Sequence, residues 1–159
     1  MAKHTTLKLQ AFLPYQLSVT SNLVSDVIAT AYQRLFSLRI PEWRLIAVIA
    51  ESDGITQQAI GVSTRMDKVT VSRAAIALVE RALIERRANP ADGRSHLLHL
   101  TAAGRALYEQ IAPKALELEK RIFDSFETGE LSQFRAMLGK VDRAALEAVV
   151  RNSAAEGGQ

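Results

Sequence analysis

The side chains that usually perform catalysis or bind metals are sparse in this chain of 159 residues. It contains no cysteine, which excludes thiol nucleophiles, thiolate metal sites and disulfides. Its one close histidine pair, His96 and His99, falls in a predicted strand, where a separation of three directs the two rings to opposite faces. Neither a nucleophile elbow nor a glycine-rich phosphate loop is present. We therefore expect no enzyme, no cofactor and no metal site.

Basic residues are concentrated between positions 65 and 105, although the net charge of the whole chain is only +3. This stretch holds eight basic residues against four acidic ones. The basic residues are Arg65, Lys68, Arg73, Arg81, Arg86, Arg87, Arg94 and Arg105. A local positive field of this kind attracts polyanions, most commonly nucleic acid, although it also fits a solvated basic face.

The elements predicted around these charges are a helix-turn-helix and a β-hairpin. Thr56 and Asp67 are candidate N-caps for helices over residues 57–63 and 68–83. Residues 84–87 and 96–100 are predicted strands, because Asn-Pro and Asp-Gly pairs between them are strong turn signals. In a helix-turn-helix, the second helix is the one presented to the major groove of DNA.

A helical wheel of residues 68–83 predicts two different faces. The mostly apolar face, expected to pack inward, contains Val69, Ser72, Ile76, Val79 and Leu83. The face expected to point outward contains Thr70, Arg73, Ala74, Ala77 and Arg81. Small residues allow close approach to DNA, while hydroxyl and guanidinium groups bond to bases and phosphates. The same pattern also fits an ordinary solvent-facing helix.

The predicted hairpin tip carries an arginine next to a turn glycine. An arginine on a projecting loop can enter the minor groove, where the potential is most negative, and Arg94 follows Gly93 directly. Asp92 is positioned to hold Arg94 extended through a charge-assisted hydrogen bond. An ordinary surface turn is the alternative interpretation.

Long amphipathic helices are predicted on both sides of this region. They cover residues 14–38, 102–126 and 130–151, while a shorter, mostly buried helix starts at Pro41. From Ala154 onward the chain is expected to fray. The predicted fold class is mainly α with a small β-hairpin wing (α+β), in one domain over residues 1–159.

Three segments of the chain carry a family resemblance. They are Met66-Asp67-Lys68-Val69-Thr70-Val71-Ser72-Arg73, Leu78-Val79-Glu80-Arg81-Ala82-Leu83-Ile84-Glu85-Arg86, and Asp92-Gly93-Arg94-Ser95 before Leu100-Thr101-Ala102-Ala103-Gly104. With them, the region from Thr56 to Thr101 resembles the MarR family of bacterial transcriptional regulators. Members commonly have a glycine before the wing, where this chain has Ala82.

The resemblance implies an obligate homodimer of winged-helix subunits with residues 41–101 as the DNA-binding region. The first, fifth and sixth helices would intertwine, as dimerisation helices over residues 14–38 and 102–152. The fourth helix would lie in the major groove and the wing arginine in the minor groove. Carried over to matching positions, the DNA contacts would come from Lys68, Thr70, Val71, Ser72, Arg73 and Arg94, with Arg65 as a further candidate in the turn.

We expect distinct roles within that set. Lys68 and Arg73 would contact phosphates or bases, Thr70 and Val71 would supply base-edge and methyl contacts, and Arg94 would anchor the minor groove.

The last predicted helix carries more apolar residues than one small domain needs to cover. They are Leu131, Phe134, Leu138, Val141, Ala145 and Val149, and the first helix has a similar stripe. A two-fold dimer would bury both stripes and hold two recognition helices about 34 Å apart on a pseudo-palindromic operator. A monomeric helical bundle is the alternative.

The family resemblance also implies a small-molecule site. This site would lie between the dimer helices and the winged region, near Phe36, Trp43 and Arg44. An apolar slot beside an arginine suits an aromatic or phenolic acid, although Phe36 and Trp43 also fit an ordinary core.

The predicted function is therefore a sequence-specific, double-stranded DNA-binding regulator, a dimeric repressor released by a ligand. The alternative is a winged-helix protein-interaction module without DNA binding. The alanine-rich outer face of the recognition helix argues against that alternative, because protein interfaces favour aromatic anchors.

The longest uncharged stretch in the first half of the chain, Leu9 to Asn22, is too polar for a transmembrane span or a signal sequence. We therefore expect a cytoplasmic protein with no membrane partner.

Overall fold

The computed structural model describes residues 6–156, which form seven helices and one β-hairpin. A short 3-10 turn, Leu9–Ala11, precedes them. The elements are α1 (Leu13–Ala29), α2 (Gln33–Phe36), α3 (Ile40–Ala50), α4 (Gln57–Thr64), α5 (Lys68–Glu80), β1 (Ile84–Ala88), β2 (His96–Leu100), α6 (Ala102–Phe123) and α7 (Thr128–Glu156). The predicted class, mainly α with a small hairpin, is confirmed.

The helix predicted over residues 14–38 is interrupted in the structure. α1 ends at Ala29, and the Thr30 hydroxyl donates to the carbonyl oxygen of Val27 at 2.7 Å. Tyr32 leaves helical geometry with a φ of −131° and is buried against Trp43, with ring centroids 5.5 Å apart. The break in the helix therefore directs the Tyr32 side chain into the core. A continuous helix over residues 14–38 does not account for this burial.

The core lies between α3, α4, α5 and the hairpin. Its fully buried side chains include Leu45, Ile46, Ile49, Ile60, Val71, Leu78, Ile84 and Leu98. α5 packs against both α3 and α4, and its buried residues Ala74 and Ala75 are small enough to permit a close approach. These contacts fix the orientation of α5 in the helix-turn-helix.

The hairpin is extended by a third short segment that the sequence pattern does not predict. β1 and β2 pair antiparallel in a register that sets Ile84 opposite Leu100. Ile55, just before α4, also pairs with Leu98 through backbone hydrogen bonds of 2.8 and 3.2 Å. The base of the wing is thereby tied to the start of α4.

The start of α6 is joined to the end of α5. The Thr101 hydroxyl accepts the N–H of Gly104 at 3.0 Å and donates to the carbonyl oxygen of Ala82 at 2.7 Å. A Cβ atom at Gly104 would collide with the carbonyl oxygen of Leu83, so this close approach requires glycine. The predicted cap at Thr101 is confirmed.

The bounds of the last two helices differ from the prediction. α6 ends at Phe123 instead of residue 126, because the following turn brings Phe123, Phe126 and Phe134 together, with ring centroids 5.8 to 6.5 Å apart. α7 is longer than expected at both ends and continues through part of the predicted tail to Glu156. Residues 157–159 of that tail lie outside the described residues.

Two compact units divide the chain, one ending at Glu119 and the other beginning at Lys120. The expectation of one domain concerns folding as a single unit, which this division does not test. Among the helices of residues 6–156, none has both the length and the apolar character needed to cross a bilayer.

Candidate nucleic-acid interface

The first turn of α5 is fixed by its predicted N-cap. Asp67 accepts the N–H of Thr70 at 2.8 Å and the Thr70 hydroxyl at 2.6 Å. The hydrogen bonds from Thr70, with the hydroxyl bond as the largest cause, lower the pKa of the Asp67 carboxyl. Thr70 is half-buried, and its hydroxyl proton is already donated to Asp67. The side chain proposed to bond to base edges therefore has a structural role in the cap.

The turn before α5 is formed as predicted. Thr56 caps α4 by accepting the N–H of Ala59 at 3.2 Å. Arg65 ends α4 in the left-handed region with a φ of 54°, and its side chain is exposed. Lys68 follows at the exposed start of α5.

The buried face of α5 is rotated by about a third of a turn from the face that the helical wheel predicts. The buried face consists of Val71, Ala74, Ala75 and Leu78. Val69, Ile76 and Val79, predicted to pack inward, are 57%, 47% and 36% exposed. Both sets of apolar residues repeat at three- and four-residue steps, so periodicity alone does not distinguish them.

The structure does not support the predicted DNA contact from Val71. Its side chain is 1% exposed and belongs to the core, so it cannot reach a base edge without unpacking the helix. Ser72, which the wheel directed inward, is half-exposed, and Arg73 is exposed. Of the other predicted α5 contacts, Lys68 and Arg73 are exposed, and Thr70 and Ser72 are half-buried.

The outer face of α5 also differs from the alanine-rich face that was predicted to disfavour a protein-interaction module. Ala74 is 5% exposed, and Ala77 is only half-exposed. The outer face of α5 is therefore not alanine-rich, because Val69 and Ile76 lie on it beside Arg73.

Arg81 is exposed, as predicted, but its guanidinium is bonded to backbone groups of this chain. Its guanidinium donates to the carbonyl oxygens of Phe36 at 2.7 Å and Ser37 at 3.2 Å. Ser37 is left-handed, with a φ of 52°, and ends α2. Arg81 thus satisfies backbone acceptors at the end of α2 and fastens that helix to the end of α5.

α5 ends at Glu80, before the predicted residue 83, in a Schellman-type turn. The N–H of Leu83 donates to the carbonyl oxygen of Leu78, and that of Ala82 to Val79, both at 2.9 Å. Ala82 takes the left-handed position with a φ of 53°, where glycine is preferred. The wing therefore starts from the usual geometry although the glycine is absent.

A groove of about 570 Å³ lies between α5 and the wing. It is lined by Thr56, Gln57 and Gln58 at the start of α4, Ser72 and Ile76 of α5, and Arg86, Asn89, Asp92, Arg94, Ser95 and His96 of the hairpin. Two guanidiniums and the exposed amino end of a helix on one concave surface suit a phosphodiester backbone. From the sequence, Arg86 is predicted only as part of the basic cluster, and His96 is considered only as a metal ligand.

A smaller cavity of about 200 Å³ lies on the other flank of α5. Arg73 and Arg39 line it, together with the buried carboxylate of Glu42. Glu42 accepts the N–H of Arg39 at 2.8 Å in a capping box at the start of α3. Guanidinium groups thus line both flanks of α5.

At the wing tip, Asp92 holds the backbone of Arg94. The Asp92 carboxylate accepts the Arg94 N–H at 3.0 Å, which replaces the predicted bond to the guanidinium. The side chain of Arg94 is exposed. The local turn preference of aspartate therefore shapes the tip, and the arginine projects from it.

Of the predicted ligand residues, Trp43 belongs to an aromatic cluster near α3. Trp43 stacks between Tyr32 and Tyr108, with centroid distances of 5.5 and 5.9 Å. Lys114 Nζ lies 5.5 Å from the centre of the Phe36 ring. Arg44 is exposed, and its charge partly offsets the burial that raises the pKa of the Tyr32 hydroxyl.

The described residues contain no group of three or more histidine or carboxylate side chains placed to hold a metal ion. The capped helix, the wing and the basic groove define a winged helix-turn-helix DNA-binding protein. The family model described as "MarR family" matches residues 36–95.

The relatives agree with that match. An HTH-type transcriptional regulator of Bacillus subtilis, YxaD, is 27% identical over 115 residues, which cover 72% of this chain and 80% of that protein. A MarR/EmrR family transcriptional regulator from Acinetobacter sp. ADP1, known from its crystal structure, is 28% identical in sequence to this chain. The two structures superpose with a TM-score of 0.81, and the match covers 89% of this chain and 99% of the Acinetobacter chain. The family match over residues 36–95, these relatives and the fold together support a MarR-like winged-helix regulator that binds DNA.

A second solved structure has the same fold at lower identity. It is that of BpsR from Bordetella bronchiseptica, whose DNA binding is regulated by 6-hydroxynicotinic acid. It is 21% identical to this chain, with a TM-score of 0.73, and covers 82% of this chain and 98% of its own.

Proposed function

We propose that the protein is a dimeric, sequence-specific repressor that occupies a pseudo-palindromic operator and leaves it when a small aromatic or phenolic acid binds. The observation that carries this proposal is the basic groove beside α5, in which Arg86 and Arg94 face the same concave surface as Ser72 and Ile76. Such a surface combines backbone clamping with a helix that can read bases.

In the proposed complex, α5 enters the major groove from its capped end. Lys68 and Arg73 contact phosphates or base edges, and Ser72 bonds to a base or phosphate oxygen. Arg65 in the turn adds a phosphate contact, while Thr70 acts mainly through the Asp67 cap. Arg86 and His96 hold the backbone in the groove, and Arg94 enters the minor groove.

The dimer is supported by apolar surface on the terminal helices. In α1, Leu13, Leu17, Leu23 and Val27 are 41% to 69% exposed, and in α7 Leu138, Val141, Leu146, Val149 and Val150 are 42% to 68% exposed. Stripes of this length on two helices favour burial against a second copy of the chain. Two copies would present two recognition helices to one operator.

The ligand site is proposed near Phe36, Trp43 and Arg44. An exposed guanidinium beside an aromatic cluster suits a planar carboxylate. The regulation of BpsR by 6-hydroxynicotinic acid gives a ligand of the same chemical class. Aromatic acids should raise the melting temperature of the wild type but not of Arg44→Ala. Arg151→Ala is the control and should be stabilised like the wild type. If no aromatic acid stabilises the wild type, the proposed site is contradicted.

The DNA-binding proposal is tested by fluorescence anisotropy across a salt series. The full chain is titrated against its upstream intergenic DNA and a scrambled duplex of equal length. Specific, steeply salt-dependent binding of two subunits per duplex is expected. Equal binding to both duplexes would reject this operator, and a random duplex library would then provide the test.

The second candidate function, a protein-interaction module, is favoured by one observation. Val69 and Ile76 give α5 an exposed apolar component. No preference for any duplex in the selection, with the protein folded by circular dichroism, would reject the regulator in favour of the interaction module.

A further inference from the structure

The outer face of α5 carries two exposed aliphatic side chains within a cationic surface. Val69 is 57% exposed and Ile76 is 47% exposed. Ser72 and Arg73 lie between them in the sequence, and Ile76 shares its groove with Arg86 and Arg94. A surface that bound only phosphate would have no use for these aliphatic groups.

The partner that suits this combination is the thymine edge of a DNA major groove. Among the four base pairs, the 5-methyl group of thymine is the apolar feature presented there. The surrounding cations attract the same polyanion, so the charges and the aliphatic groups select one partner. Resting on the proposed operator binding, we propose that Val69 and Ile76 read thymine methyl groups and so determine the sequence preference of the protein.

The spacing of the two residues predicts the spacing of the bases. Val69 and Ile76 are seven residues apart, which is about 10 Å along a helix that rises 1.5 Å per residue. Base pairs rise about 3.4 Å each, so a helix lying along the groove would place the two contacts about three base-pair steps apart. Val69 lies in the first turn of α5, so its contact lies nearer the capped end of the helix than that of Ile76.

The test removes only the methyl group. An operator is first selected from a random duplex library with the full wild-type chain. Each thymine is then replaced by uracil, which keeps the pairing and the O4 acceptor, and the Kd is measured by fluorescence anisotropy at fixed salt. Loss of one buried methyl contact should weaken binding about fourfold per half-site.

Two variants and a control assign the effect to named residues. Val69→Ala and Ile76→Ala should each abolish the difference between thymine and uracil at one position of each half-site. Val79→Ala, on the same helix and 36% exposed, is the matched control and should keep both differences.

The outcomes separate this inference from the proposed function. Specific binding with equal Kd values for thymine and uracil at every position would overturn the methyl contacts and leave the regulator intact. Discrimination that persists in both Val69→Ala and Ile76→Ala would also overturn them. Failure to select any duplex would overturn the inference and the proposed function together.

Discussion

At the residue scale, the exposed charges divide into those that serve the fold and those that remain available to DNA. Arg81 donates to backbone carbonyls, and Arg87 bonds to the Glu85 carboxylate at 2.9 Å. Arg94 projects from a turn that Asp92 holds through the backbone. Similar residue types therefore have different roles within one basic segment.

Arg94→Ala should weaken operator binding and reduce the salt slope by about one phosphate equivalent or less, because one cation leaves the interface. The measurement is anisotropy across a salt series. Arg87→Ala is the matched control, since its guanidinium already has a carboxylate partner. Unchanged affinity and slope in Arg94→Ala would remove this residue from the interface.

Asp67 should make stability depend on acid pH. Its pKa is lowered in the folded state, so its ionised form contributes stability above the ordinary pKa of about 3.9, and the contribution is lost as pH falls through the folded value. The Asp67→Asn variant keeps a side-chain oxygen that can cap the helix, but it has no group that ionises. The difference in urea midpoint between wild type and this variant should shrink between about pH 6 and pH 3. A constant difference would contradict the prediction.

At the element scale, the end of α5 is a left-handed turn made without glycine. Ala82 has a φ of 53°, and its turn also accepts the Thr101 hydroxyl that starts α6. The backbone hydrogen bonds of the turn hold the alanine in this conformation. The recognition helix, the wing and α6 therefore meet at one strained residue.

Ala82→Gly should stabilise the protein by about 0.5–1 kcal/mol, because relief of the left-handed alanine exceeds the entropy that glycine loses. The measurement is the free energy of unfolding in urea. Ala106→Gly, at an exposed site inside α6, is the control and should destabilise by about 1 kcal/mol. A loss of stability in Ala82→Gly would contradict the inference that Ala82 is strained.

At the scale of the whole molecule, the proposed dimer is the feature on which operator geometry depends. Val141 is 48% exposed within the apolar stripe of α7. The aromatic cluster of Phe123, Phe126 and Phe134 covers only one end of that helix. The remainder of the stripe is available to a second copy.

Val141→Glu should convert the dimer to a monomer in analytical ultracentrifugation, because a buried carboxylate costs several kcal/mol and raises the dimer Kd by at least about 100-fold. Operator affinity should fall with it, since one recognition helix is lost from each complex. Lys140→Glu adds an acidic residue at the neighbouring exposed position and should remain dimeric. A monomeric wild type at micromolar concentration would contradict the proposal.

Local interactions allowed much of this molecule to be predicted from its sequence. Thr56, Asp67 and Thr101 bond to backbone groups three residues away, and the hairpin turn depends on its own residues. The capped helices, the wing and the family resemblance follow from such short-range signals. The basic cluster, including Lys68, Arg73 and Arg94, was visible in the same way.

Only the tertiary structure decided which face of α5 is buried. Val69 and Ile76 have the same seven-residue spacing as Val71 and Leu78, so the choice depends on how α3 and α4 pack against the helix. The burial of Tyr32 and the bonds from Arg81 to residues 44 and 45 positions away likewise depend on distant contacts. Periodicity and capping arise within one element, whereas the packing partner of a face is set by the fold as a whole.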